Sequence, residues 1–125
     1  MNLPGLAALR PSVLIVDDHA GFRESARGLL EAEGFDVVGV AGDSDEALAA
    51  VSRLRPDLVL LDIRLPGVDG FGTAEMLARL DPAPVVVVTS SHPASSYRSQ
   101  LAMAPVRGFL AKGDLTGAAL AEFLV

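Results

Sequence analysis

Three aspartates, a threonine and a lysine each sit at or just after the end of a short apolar run, where a strand can deliver a side chain to the edge of a sheet. Asp17 and Asp18 follow Val13–Val16, Asp62 follows Leu58–Leu61, Thr89 and Ser90 follow Val85–Val88, and Lys112 follows Phe109–Ala111. Two carboxylates about 4 Å apart repel by about 4 kcal/mol at an effective dielectric of 20. Such a cluster is tolerated when a cation neutralises it, when one member is protonated, or when solvent reaches it. Oxygen donors in a chain without cysteine favour a hard ion, most simply Mg²⁺, which keeps several waters and takes one or two carboxylates plus phosphate oxygens. A carboxylate can also attack phosphorus to give an aspartyl phosphate. A phosphoryl group in transit carries charge on its equatorial oxygens and needs a metal, a cation and hydrogen-bond donors around it. Mg²⁺ held by Asp17 and Asp18, the Lys112 ammonium and the Thr89 hydroxyl supply all three.

Five apolar runs read as strands: Val13–Val16, Val37–Val40, Leu58–Leu61, Val85–Val88 and Phe109–Ala111. The first, third and fourth are continuous rather than alternating, as expected of strands covered on both faces. Helical stretches separate them. Phe22, Ala26, Leu29 and Leu30 form one stripe, stopped by Gly34, and Ala47, Leu48, Val51 and Leu54 form another, starting after Asp43 and Ser44 and ending before Pro56. Phe71, Met76, Leu77 and Leu80 make a third, Ser95–Met103 a weaker fourth ending near Pro105, and Leu115–Leu124 a fifth with Asp114 as its N-cap. Alternation of this kind predicts a single α/β domain over residues 12–125, five βα units around a parallel sheet with helices on both faces, preceded by a lead-in over residues 1–11. Ligands of such sheets collect beyond the carboxyl ends of the strands, where the charged residues fall.

Composition agrees. A chain of 125 residues that is 50% hydrophobic is the size of one domain and can bury a core. The net charge of −6 argues against direct binding of nucleic acid, which needs a basic face, and suits a cation binder. Of ten basic residues nine are arginine, so the one lysine, Lys112, marks a place where Arg's wide planar fork does not fit. The start lacks the basic and long apolar segments of a signal peptide, and no run approaches the roughly 20 residues of a membrane span. A cytoplasmic protein without membrane contact is the expectation.

Four segments in order, Val13-Leu14-Ile15-Val16-Asp17-Asp18-His19, Pro56-Asp57-Leu58-Val59-Leu60-Leu61-Asp62-Ile63-Arg64-Leu65-Pro66-Gly67-Val68-Asp69-Gly70, Val88-Thr89-Ser90 and Gly108-Phe109-Leu110-Ala111-Lys112, resemble the receiver domain of two-component response regulators. The resemblance implies a flavodoxin-like doubly wound fold with five parallel strands. It matches Asp62 to the phosphorylated aspartate and Asp17 and Asp18 to the acidic pair at the Mg²⁺ site, with Asp62 and the Arg64 backbone carbonyl as further ligands. Thr89 corresponds to the switch hydroxyl, Lys112 to the family's lysine, and Phe109 to the aromatic whose rotamer reports the switch. It implies a histidine kinase or phosphotransfer protein as donor. It also implies signalling, with homodimerisation, through the fourth helix, fifth strand and fifth helix.

This sequence departs from the pattern at Gly113, where many receivers carry a proline after a cis peptide. A cis bond before a non-proline residue costs about 3 kcal/mol, so a trans or rearranged loop is expected. The Asp-Asp-His start and the lysine without proline are similar to the NarL/FixJ-type subgroup usually joined to a helix-turn-helix domain. Ala102–Val106 replaces the usual glycine-containing turn before the fifth strand.

The leading reading is a stand-alone receiver that assists its own phosphorylation and dephosphorylation and is no metabolic enzyme. A regulatory fragment of a DNA-binding regulator is the alternative. A Mg²⁺-dependent aspartyl-phosphate phosphatase would place Asp-x-Asp on the first strand, and a flavin module would need a Ser/Thr/Gly-rich loop where Asp17-Asp18 stands. His19, beside the acidic pair, has a metal contact as one reading, but a neutral, partly exposed ring is the favoured one. The turn Pro66–Gly70 follows from Pro and Gly backbone preferences and needs no catalytic role.

Overall fold

The computed structural model describes residues 10–125, so residues 1–9 of the expected lead-in lie outside the described residues. Five parallel strands, β1 (Ser12–Val16), β2 (Asp36–Ala41), β3 (Leu58–Asp62), β4 (Val85–Ser90) and β5 (Gly108–Ala111), form one sheet in the order β2-β1-β3-β4-β5. The three continuous apolar runs are the three central strands. All five residues of β3 are buried, and a fully buried Val or Leu side chain contributes about 1.5–3 kcal/mol.

Successive strand residues face opposite sides, and each side has its own helices. Val13, Ile15, Leu58, Leu60 and Val87 pack with α1 (Ala20–Ala32) and α5 (Gly117–Ala121), through Ala26, Leu30 and Leu120. Leu14, Val16, Val59, Leu61, Val86 and Val88 pack with α2 (Ser44–Leu54), α3 (Gly70–Ala78) and α4 (Arg98–Met103). A 3₁₀ turn, Ala94–Tyr97, precedes α4. Among the described residues no helix is long and apolar enough to cross a membrane.

Local chemistry explains most boundaries. Asp43 caps α2 by accepting from the Glu46 N–H at 2.8 Å, while Glu46 reaches back to the Gly42 N–H at 2.7 Å. Gly34, with φ of 104°, follows the end of α1. Pro105 ends α4 by forcing Ala104 into extended backbone, φ −77° and ψ 147°.

Three expectations need correction. The fourth helix is not continuous over Ser95–Met103: Tyr97, at φ −126° and ψ 23°, separates a 3₁₀ turn from a six-residue helix with no buried residue. The third helix ends at Ala78, short of Leu80. The fifth is confined to Gly117–Ala121, followed by a 3₁₀ turn, and Asp114 does not cap it. Lys112–Asp114 form their own 3₁₀ turn, and Thr116 is the cap, accepting from the Ala119 N–H at 3.0 Å. The Glu33 carboxylate adds a distant contact at the same end, accepting from the Gly117 N–H. The peptide after Lys112 is trans, as the glycine there led us to expect.

Candidate functional site

Strand register assembles the acidic edge. Val16 pairs with Leu61, so the next residues, Asp17 and Asp62, stand side by side beyond the paired segment. Asp62 pairs with Thr89, and Thr89 with Leu110. Asp17 is fully buried and Asp62 is 3% exposed, while Asp18 is exposed. Lys112 enters from the end of β5, its Nζ 2.6 Å from Asp17 Oδ2 and 3.7 Å from Asp62 Oδ2.

Supports lie beneath these groups. Lys112 Nζ sits 4.4 Å from the centroid of the Phe22 ring on α1, a cation–π contact that favours the ammonium in a half-buried place. Arg23 donates through Nη1 to the Asp17 carbonyl at 2.7 Å, fixing the backbone where β1 ends. Sequence reasoning read Phe22 only as part of a helical stripe and passed over Arg23. Neither residue type signals a site without the fold.

The Asp62 carboxyl is pushed above its ordinary range, first by burial and then by the Asp17 charge. The Lys112 ammonium and the Arg64 N–H, which donates to Asp62 Oδ1 at 3.3 Å, act in the opposite sense, and Asp18 adds a smaller upward push. Three carboxylates thus face one ammonium. Asp17 Oδ2, although buried, accepts no hydrogen bond: Lys112 is close enough for attraction but not aligned to donate. One ligand atom from each of Asp17, Asp18, His19 and Asp62 lies within 4.8 Å of the others. A mostly oxygen donor set with excess negative charge and a buried carboxylate oxygen lacking a hydrogen bond fits a hard divalent cation.

The loop after β3 crowds this edge. Gly70 donates its N–H to the Ile63 carbonyl at 2.8 Å. A Cβ there would overlap the Asp62 backbone carbonyl and lie 2.7 Å from Ile63 Cα. Turn preference explains Gly67, at φ 72°. Gly70 answers a close approach beneath Asp62, which the sequence reading of this turn missed.

The remaining expected residues are near but otherwise engaged. The Thr89 hydroxyl donates to the Leu110 carbonyl at 2.5 Å. Phe109 is half-buried on the opposite face, its ring centroid 6.4 Å from that of Tyr97. Tyr97 also meets Phe71 at 6.0 Å, and its hydroxyl shares a 2.9 Å hydrogen bond with Ser90 Oγ. Ser90 Oγ in turn accepts from the His92 N–H at 3.0 Å.

The response regulator receiver domain family matches residues 13–120. Protein-glutamate methylesterase/protein-glutamine glutaminase 5 of Myxococcus xanthus is 46% identical over 96 residues, 76% of this chain and 27% of that protein. The DNA-binding response regulator MtrA of Mycobacterium tuberculosis is 44% identical over 82 residues, 66% of this chain and 36% of MtrA. The chain therefore spans well under half the length of these curated relatives. Among solved structures, the signal receiver domain of NarL from Mycobacterium tuberculosis superposes with a TM-score of 0.81 at 30% identity, covering 92% of this chain and 97% of that one. A LuxR-family two-component response regulator from Aurantimonas sp. SI85-9A1 gives a TM-score of 0.79 at 29% identity, covering 90% and 81%. The ordered acidic edge, the sheet order and these matches agree: the chain belongs to the response regulator receiver domain family.

Proposed function

We propose that Asp62 is the residue that takes the phosphoryl group, from the phosphohistidine of a histidine kinase or phosphotransfer protein. A carboxylate oxygen of Asp62 forms the new O–P bond while the donor's N–P bond breaks, and the imidazole nitrogen departs with that electron pair. The observation that carries this reading is a nearly buried carboxylate at the end of the central strand, 3.7 Å from the chain's one lysine and beside Asp17.

Asp17, Asp18 and Asp62, with the backbone carbonyl of Arg64, would hold Mg²⁺. When bound, the ion offsets the carboxylate charge and that of the phosphoryl oxygens. Lys112 supplies a second positive charge to the transferred group. Thr89 would leave the Leu110 carbonyl and turn its hydroxyl to a phosphoryl oxygen. The space it vacates favours inward rotation of Phe109, so one covalent event biases a two-state element on the β4–β5 side. The exposed face of α4, where Met103 is 86% exposed, together with β5 and α5, is our proposed contact for a second copy of the phosphorylated chain. A beryllofluoride-dependent rise in mass by light scattering would support it, and an unchanged monomer would oppose it.

Incubation with acetyl phosphate and Mg²⁺ is expected to add one phosphoryl group by intact mass. Asp62→Ala is expected to abolish the gain. Undiminished labelling of the variant would overturn the assignment. Much of each curated relative lies outside the matched stretch, which favours a second reading of the output: a receiver controlling an attached effector rather than acting alone.

A further inference from the structure

We infer that His19 is an additional side-chain ligand of the acidic site, giving it a nitrogen donor and a preference for first-row transition ions such as Mn²⁺ and Ni²⁺. The inference rests on the metal reading above and deepens it by naming a ligand and a class of ion.

His19 occupies the N-cap position of α1, yet its side chain makes no capping hydrogen bond. Ser, Thr, Asp and Asn serve helices there, so helix capping does not account for the ring. With 72% of the side chain exposed, core packing does not account for it either. The His19 backbone N–H donates to Asp17 Oδ1 at 2.8 Å, and this turn folds the ring back over the carboxylates. Nδ1 then lies 3.2 Å from Asp17 Oδ1 and 3.1 Å from Asp18 Oδ1.

Those spacings suit a shared ion. Ligands about 2.1 Å from a divalent metal are about 3.0 Å apart across a right angle and about 4.2 Å apart when opposed. The donor atoms of Asp17, Asp18, His19 and Asp62 all lie within 4.8 Å of one another, so small side-chain movements close the shell. Independently of the ring, the buried Asp17 Oδ2 on the inner side of the same site receives no hydrogen bond and has only the Lys112 ammonium, 2.6 Å away, against its charge. Imidazole suits Zn, Cu, Fe and Ni, whereas Mg²⁺ takes oxygen, and affinity for nitrogen-containing sites rises from Mn²⁺ to Ni²⁺. His19 should therefore matter little for Mg²⁺, more for Mn²⁺ and most for Ni²⁺. The competing account is a proton on Nδ1 shared between the two carboxylates, with no role toward a metal.

Pulsed electron paramagnetic resonance on the full chain loaded with Mn²⁺ separates the two, because a coordinated imidazole imprints ¹⁴N modulation on the echo. The expected result is modulation in the wild type and none in His19→Gln, a neutral change at an exposed position. In parallel calorimetric titrations His19→Gln is expected to lower Ni²⁺ affinity by about tenfold or more, since merely misorienting a ligand already costs about 10–100-fold. Mg²⁺ affinity should hardly change. Bound Mn²⁺ that is weakened by Asp18→Asn but shows no nitrogen modulation would overturn the role of His19 and leave the acidic site standing. Modulation that persists in His19→Gln would also overturn it. Mn²⁺ binding indifferent to Asp18→Asn would overturn the metal reading itself.

Discussion

At the ends of β1 and β3 the charged groups are already together, with Lys112 Nζ 2.6 Å from Asp17 and 3.7 Å from Asp62. At the ends of β4 and β5 the groups assigned to switching are held in other contacts. Thr89 is bonded to the Leu110 carbonyl, Ser90 to Tyr97, and the six residues of α4 include none that is buried. The aspartates of the first region are set side by side by backbone register, which a ladder of hydrogen bonds fixes. The second depends on rotamers and on single side-chain hydrogen bonds, each worth only about 0.5–1.5 kcal/mol net. A receiver needs that contrast: a site formed before the phosphoryl group arrives, and a responsive face whose resting contacts are weak enough for one covalent event to replace.

The sharpest way to break the contrast is to deform the rigid half. Gly70→Ala would drive a methyl into the Asp62 carbonyl and to 2.7 Å from Ile63 Cα, against backbone that cannot step aside. We expect a stability loss of about 1–3 kcal/mol or more in urea unfolding, with slower phosphorylation of the displaced Asp62. An unchanged unfolding midpoint would show that the loop after β3 is softer than its contacts imply.

Loosening the other half should have a smaller effect of a different kind. Tyr97→Phe removes the Ser90–Tyr97 hydrogen bond and keeps the ring between Phe71 and Phe109. A stability loss of about 1 kcal/mol is expected, together with tighter beryllofluoride binding in the presence of Mg²⁺, because a resting contact has been removed. Equal beryllofluoride affinity in the two proteins would place Tyr97 outside the switch.

The smallest effect is expected from Asp62 as pH changes. Burial and the Asp17 charge raise the Asp62 carboxyl in the folded chain above its ordinary range, so between the unfolded and folded values the folded state binds more protons. Its contribution to stability is therefore full below the unfolded value and is lost as pH rises through the folded one. Ionised Asp62 should weaken the Mg²⁺-free fold at pH 7, the more so because Asp17 lies beside it, while Lys112 and the Arg64 N–H offset part of the loss. Asp62→Asn should then be more stable than the wild type at pH 7 without metal, by a margin that shrinks as pH falls. A margin that grew instead on acidification would contradict the raised value.

Much of this protein was legible along the chain, for physical reasons that particular residues show. Central strands of a parallel sheet are buried on both faces, so Val13–Val16, Leu58–Leu61 and Val85–Val88 had to be continuous apolar runs, and the residues after them had to emerge at one edge. Asp43 before α2 and Pro105 after α4 acted through their own backbone neighbours. What escaped reading depended on groups distant in sequence or on a choice among rotamers. Gly117 lies against Glu33, 84 residues away, whose carboxylate accepts its N–H, a contact no local signal announces, whereas the cap misread as Asp114 is Thr116. Gly70 is small because the Asp62 carbonyl passes beneath it. Residue type and spacing determined which chemical groups reach the acidic edge. Only tertiary structure decided that Lys112 rests over Phe22 between two carboxylates and that Thr89 turns to Leu110. Each of those choices depends on neighbours that the linear order does not bring together.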